Sequence, residues 1–76
     1  MDSLSSYKFV IEQDEDGMFV ASCPALPGCI TQGSTLDEVT ANVREALDVY
    51  IETLRDSGSP IPEPRDVRIE TFDVAV

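Results

Sequence analysis

The sequence predicts an α+β fold of order β-β-β-α-β, in which one helix packs on one face of a small sheet. Three observations carry that reading. Apolar residues alternate on both sides of an Asp14-Glu15-Asp16-Gly17 turn, the pattern of a hairpin. Apolar positions from Leu36 to Leu54 recur at spacings of three, four and seven, the period of an amphipathic helix. The chain has 76 residues, 42% of them hydrophobic, which suffices for one domain and leaves no room for a second core. A chain this short buries only about 60% of its unfolded surface, so its solitary stability is marginal.

Residues 1–6 are polar and Ser-rich and are expected to fray, leaving 7–76 as a single domain. From Tyr7 the chain alternates: Tyr7, Phe9 and Ile11 point one way, Lys8, Val10 and Glu12 the other, as in a half-buried strand. Met18 to Cys23 returns. A two-residue loop at Glu15-Asp16 sets Ile11 opposite Val20 and leaves Phe19 beside Glu12. A three-residue loop, with Gly17 left-handed as a bulge, sets Ile11 opposite Ala21 and Phe9 opposite Cys23. Only the second gathers Tyr7, Phe9, Ile11, Phe19, Ala21 and Cys23 on one face, so it is the predicted register.

Pro24 and Pro27 cannot donate to a ladder, so Pro24 to Gly28 is a loop: the prolines fix it and Gly28 permits its turn. Cys29 to Gly33 reads as a third strand. Thr35, with Glu38 three residues on, is a capping box. The helix then buries Leu36, Val39, Val43, Ala46, Leu47, Tyr50, Ile51 and Leu54. Asn42 borders this stripe, where its amide needs partners. Gly58 ends the helix and Pro60 seals it.

Pro-Ile-Pro-Glu-Pro at 60–64 is an extended, stiff connector. Val67 to Val76 reads as a last strand whose phase changes: Val67 and Ile69 share one side, Phe72, Val74 and Val76 the other. Either a bulge lies near Glu70-Thr71 or the two halves bury against different neighbours. One helix cannot cover both faces of a sheet, so Val10, Met18 and Val20 are left over. Val20, Phe72, Val74 and Val76 are therefore expected to mediate self-association, as a homodimer or a higher homo-oligomer.

Fifteen Asp and Glu against five Lys and Arg give a formal charge of −10. That disfavours direct nucleic-acid binding, which needs clustered cations; it suits a basic partner or a high-salt cytoplasm. With no histidine, imidazole triads and metal sites are excluded. Cys23 and Cys29 are too few for a zinc site and read as reduced, partly buried small hydrophobes. Glu12, Glu38 and Asp73 form no recognisable metal constellation, and Asp14, Glu15 and Asp16 read as a solvated turn. No enzyme activity, metal or cofactor is expected. No run approaches the ~20 apolar residues of a membrane span, so a cytoplasmic protein without membrane contact is expected.

The segments Tyr7-Lys8-Phe9-Val10-Ile11-Glu12, Asp16-Gly17-Met18-Phe19-Val20-Ala21, Cys23-Pro24-Ala25-Leu26-Pro27-Gly28-Cys29, Gly33-Ser34-Thr35-Leu36-Asp37-Glu38 and Asn42-Val43-Arg44-Glu45-Ala46 resemble the HicB antitoxin family. The resemblance runs from about residue 7 to residue 64; Leu-Pro-Gly-Cys followed by Gly-x-Thr-x-x-Glu is its most specific part. Val39 stands where the family usually has alanine. The resemblance implies a truncated ribonuclease-H-like β-β-β-α-β unit without the nuclease's metal-binding acids. It also implies a partner, the small basic toxin HicA of double-stranded-RNA-binding-like fold, whose RNA-cleaving site the antitoxin covers. Many family members add a C-terminal DNA-binding domain; this sequence, ending at Val76, is expected not to bind DNA itself. Charge nominates Asp14, Glu15, Asp16, Asp37, Glu45, Asp48 and Glu52 as toxin contacts. Gly17, Pro24, Pro27, Gly28, Thr35, Glu38 and Gly58 are assigned structural roles. The alternative is a stand-alone oligomeric protein of the same fold, without a toxin, that binds a small ligand or another partner.

Overall fold

The Asp14–Gly17 turn sets the register of the sheet. In the computed structural model, which describes residues 4–76, β1 (Val10–Gln13) and β2 (Phe19–Ser22) run antiparallel with Ile11 opposite Ala21. Gly17 takes φ +85° and donates to the Asp14 carbonyl at 3.1 Å, while Asp14 N–H donates to the Met18 carbonyl at 2.8 Å. This is the bulged three-residue loop predicted from the side-chain pattern. The Asp14 carboxylate locks it, accepting from the backbone N–H of Asp16 at 3.0 Å and of Met18 at 2.9 Å, as turn aspartates do.

The first strand is shorter than its alternation suggests, because the ladder begins at Val10 and not at Tyr7. In the same register Lys8 faces Pro24. Proline has no N–H to offer there, so pairing stops. β3 (Ile30–Gly33) adds antiparallel to β2, giving the order β1-β2-β3 with β2 in the centre. Between β2 and β3, Leu26 N–H reaches the Cys23 carbonyl at 3.1 Å and Cys29 N–H reaches the Leu26 carbonyl at 3.0 Å. These are two successive β-turns with Pro24 and Pro27 second in each; Gly28, at φ +82°, takes the left-handed place that follows Pro27.

Helix α1 (Leu36–Ser57) begins and ends where the sequence marks it. Thr35 is extended, and its hydroxyl accepts from Glu38 N–H at 3.0 Å. The Glu38 carboxylate does not return to the Thr35 amide; it accepts from the Ser34 hydroxyl at 2.6 Å. Gly58 ends the helix at φ +70°, donating to the Arg55 carbonyl while Ser59 donates to that of Leu54. Thr35→Ala is expected to cost about 1 kcal/mol by orphaning the Glu38 amide. The urea midpoint should fall with an unchanged slope, and Thr35→Ser should restore it.

The core lies between the sheet and the helix. Ala21, Cys23, Ala25, Leu26, Cys29 and Val39 are buried, and Tyr7, Phe9, Leu47, Tyr50 and Ile51 pack around the Cys23–Cys29 loop. Leu36, assigned to the buried stripe from its spacing, is more than half exposed. It is the first helical residue, and the next member of the stripe, Val39, already lies against Gly33. The opposite sheet face stays uncovered: Val10, Met18 and Val20 are half-buried and Ile30 is 60% exposed.

The predicted fifth element differs. Val67–Val76 pairs with no strand among the described residues, and Phe72 and Val74 stand 83% and 78% exposed. The proline-rich connector sets where the tail starts. Tyr7 Oη donates to the Pro62 carbonyl at 2.6 Å and Lys8 sits 3.7 Å from Asp66, so the tail starts beside β1. Pro60, Pro62 and Pro64 hold the connector extended, and the tail runs on without turning back onto the sheet. Of the expected fraying at residues 1–6, residues 1–3 lie outside the described residues; Leu4 to Ser6 are exposed and in no regular element.

Candidate functional site

Charge and apolar exposure define two surfaces. The first is acidic. Successive helical residues turn by about 100°, so Asp37, Glu45, Asp48 and Glu52 fall within an arc of about 80° along roughly 22 Å of helix. All four are exposed, and Arg44 interrupts the stripe only through a weak 4.0 Å pair with Asp48. Because Phe19 lies opposite Gly33, the hairpin tip and the start of the helix share one end of the sheet. Glu15, Asp16 and Asp37 are exposed at that end, and Asp14 is nearby with one carboxylate oxygen committed to the turn. Lone exposed ion pairs contribute little. A field from many like charges is felt further away and steers cations.

The second surface is apolar and follows the helix flanks. On one side a groove of about 730 Å³ lies between α1 and the connector, floored by Tyr7, Leu47, Ile51 and Ile61 and bordered by Asp48 and Glu52. On the other, a groove of about 570 Å³ runs between α1 and β3 and includes Ile30, Ala46, Val49 and Leu54. Ile30 and Val49 were not legible as surface residues. An apolar residue in a strand, or a valine beside a helical stripe, carries no sign of exposure until the neighbouring element is known to be missing. Asn42 borders this groove, and its amide donates to the Gln32 carbonyl at 2.8 Å. It is the satisfied structural residue that its position in the helix calls for.

The remaining expectations fall on packing. Cys23 and Cys29 are free and buried; burial, with the Cys23 thiol beside it, pushes the Cys29 thiol above its ordinary value. That disfavours the reactive thiolate. Glu12 projects from the face opposite the helix, since its partner Val20 alternates with the buried Ala21. Glu38 lies on the helix side, and Asp73 lies in the tail. No group of three or more Cys, Asp or Glu among the described residues is placed to hold a metal ion, and no described helix is long and apolar enough to cross a membrane.

Fold and surface together set the class: a small acidic α+β domain, three antiparallel strands backed by one capped helix. The chain belongs to the HicB-like antitoxin family of bacterial toxin–antitoxin systems, whose model matches residues 7–73. It is 48% identical over 56 residues to a UPF0150 protein of Thermoplasma acidophilum, covering 74% of this chain and 81% of that one. It is 35% identical over 71 residues to a UPF0150 protein of Synechocystis, covering 93% and 89%. A UPF0150 protein of Archaeoglobus fulgidus is 50% identical over 46 residues, covering 60% of this chain and 67% of its own.

Proposed function

We propose that this protein neutralises a small basic RNA-cleaving toxin of the HicA type by covering its active site. Membership of the antitoxin family over residues 7–73 is the observation that carries the reading. The surface supports it physically. A toxin that grips RNA must present clustered cations, and Asp37, Glu45, Asp48 and Glu52 offer an opposite potential along one helix flank, with Glu15 and Asp16 at its end. Opposite potentials raise the association rate and select the partner. The apolar groove bordered by Asp48 and Glu52 supplies area that the charges alone lack.

The test is co-expression with the neighbouring reading frame. The two proteins should copurify, and growth arrested by the toxin should resume. Reversing Asp37, Glu45, Asp48 and Glu52 to lysine should slow association by about 10- to 10³-fold at low salt. Added salt should narrow the gap between parent and variant, because screening weakens only the charged part. Retention of full rescue by the fourfold variant would remove the helix flank from the interface. Failure of the parent to bind the neighbouring protein would overturn the neutralising role.

A further inference from the structure

We propose that Val67–Val76 of one copy pairs along the free edge of β1 in a second copy, and that the exchange is reciprocal. This pairing does not depend on toxin binding. In antiparallel pairs, residues alternate between bonding to the neighbour and pointing their N–H and C=O outward. Asp14 N–H bonds to the Met18 carbonyl, so Glu12 and Val10 also face β2 in this register. The N–H and C=O of Ile11 and Gln13 therefore point away from the sheet, along an edge that no described strand covers. An uncovered edge is a template for another strand.

The β3 edge is a poorer template. There Ile30 and Gln32 point outward by the same count, since Cys23 N–H bonds to the Cys29 carbonyl. The Gln32 carbonyl is already taken by Asn42.

The tail has the chemistry of the missing strand. Phe72, Val74 and Val76 alternate with Thr71, Asp73 and Ala75, so one side is apolar and the other largely polar. Beside β1, that apolar side continues the helix-facing surface of Phe9 and Ile11, while Thr71 and Asp73 face the side left uncovered. In the single chain the same three apolar residues are bare. The molecule measures 50 × 26 × 19 Å, longer than the roughly 33 Å of its 22-residue helix, as a projecting tail requires.

The course of the tail beyond Asp66 favours a second copy. The tail leaves beside β1 of its own chain, held by Tyr7 to Pro62 and by Lys8 to Asp66. Pro60, Pro62 and Pro64 hold the connector extended up to that point; past Asp66 the chain runs on with Ile69, Phe72, Val74 and Val76 exposed, so its apolar side is free to pair with an edge outside its own chain. Charge permits it as well. Arg65 and Arg68 offset half of the four acids Glu63, Asp66, Glu70 and Asp73, and β1 carries the single acid Glu12, so pairing the tail with β1 keeps the acidic helix flanks of the two copies out of the interface.

Sedimentation of the full chain at micromolar concentration should give twice the 8.3 kDa mass. The double change Phe72→Asp with Val74→Asp should return it to the monomer. Ile11→Pro should do the same, because it removes an N–H that bonds nothing in the single chain, and a proline is tolerated on such an edge. Both variants should keep the parent's helical circular dichroism. Mixing a copy carrying Ile11→Cys with one carrying Val74→Cys, then oxidising, should yield a covalent heterodimer. A parent that sediments as a monomer, a dimer indifferent to both variants, or Val74→Cys copies that crosslink only to each other would overturn the proposal.

Discussion

Gly33→Ala is expected to abolish most of the cooperative unfolding transition, the largest effect of an added methyl group at any of the four glycines. A Cβ on Gly33 would stand 2.5 Å from Val39 N, 2.8 Å from Val39 Cα and 3.0 Å from the Glu38 carbonyl carbon. All three are backbone atoms of the first helical turn, so no rotamer change relieves the clash. The helix must lift from β3 and uncover Val39, which is fully buried. Overpacking costs about 1–3 kcal/mol where side chains give way, and more where they cannot. At roughly 0.05–0.15 kcal/mol per residue, a domain of this size holds only about 4–11 kcal/mol in all. Gly28→Ala is the comparison. Its added methyl meets nothing within 4 Å, though φ is +82°, so only conformational strain of about 1–2 kcal/mol applies. Urea unfolding of the two variants separates crowding from strain, and equal midpoints would contradict the close-contact account.

The fold was legible wherever a residue's local duty is unambiguous. Gly17 with its neighbouring acids specified loop length, and loop length specified register, because a slip by one residue exposes every core side chain on the strand. Thr35 and Gly58 specified the helix ends, since each satisfies groups left orphaned by the helix itself. Gly33 was not legible. It is not among the positive-φ residues, and a glycine kept small by a crossing helix looks in sequence like any strand-ending glycine. The tail's alternation was legible, yet it forms no strand in the single chain, because periodicity records which side a strand would bury and not whether an edge receives it.

The acidic surface divides the same way. Exposure of Glu45, Asp48 and Glu52 follows from helical spacing opposite the apolar stripe. Asp14 was grouped with Glu15 and Asp16 by charge, yet its carboxylate serves the turn. A change there acts on the hairpin before it acts on any partner, so Asp14→Asn is a poor probe of toxin contact and Glu15→Lys a better one.

Leu26→Ala is expected to cost about 2–5 kcal/mol, and the environment argues for the upper half of that range. Among the described residues Leu26 is one of two large side chains that are fully buried, and it occupies the segment that two prolines marked as a loop. Loops stay outside because their backbone groups need partners. Here the Cys23–Leu26 and Leu26–Cys29 turns satisfy those groups internally, which frees the side chain between them to enter the core. Its buried neighbours Cys23, Ala25 and Cys29 are too short to fill a cavity. Tyr50 packs against the same cluster and is held by a 2.7 Å bond from its hydroxyl to the Pro27 carbonyl, so the ring cannot slide in without breaking it. The site therefore relaxes little, and an unrelaxed cavity is the costly kind. Leu26→Met, which conserves volume, should cost less than about 1.5 kcal/mol. Thiol labelling offers a second readout: Cys23 and Cys29 should react slowly in the native parent and much faster in Leu26→Ala. The two roles of the loop separate in a binding assay. If Leu26 acts through the core, folded Leu26→Ala at low temperature should bind the proposed toxin with the parent's affinity while failing to rescue growth, because the unfolded fraction is degraded. Reduced affinity in the folded variant would instead place the loop itself in the interface.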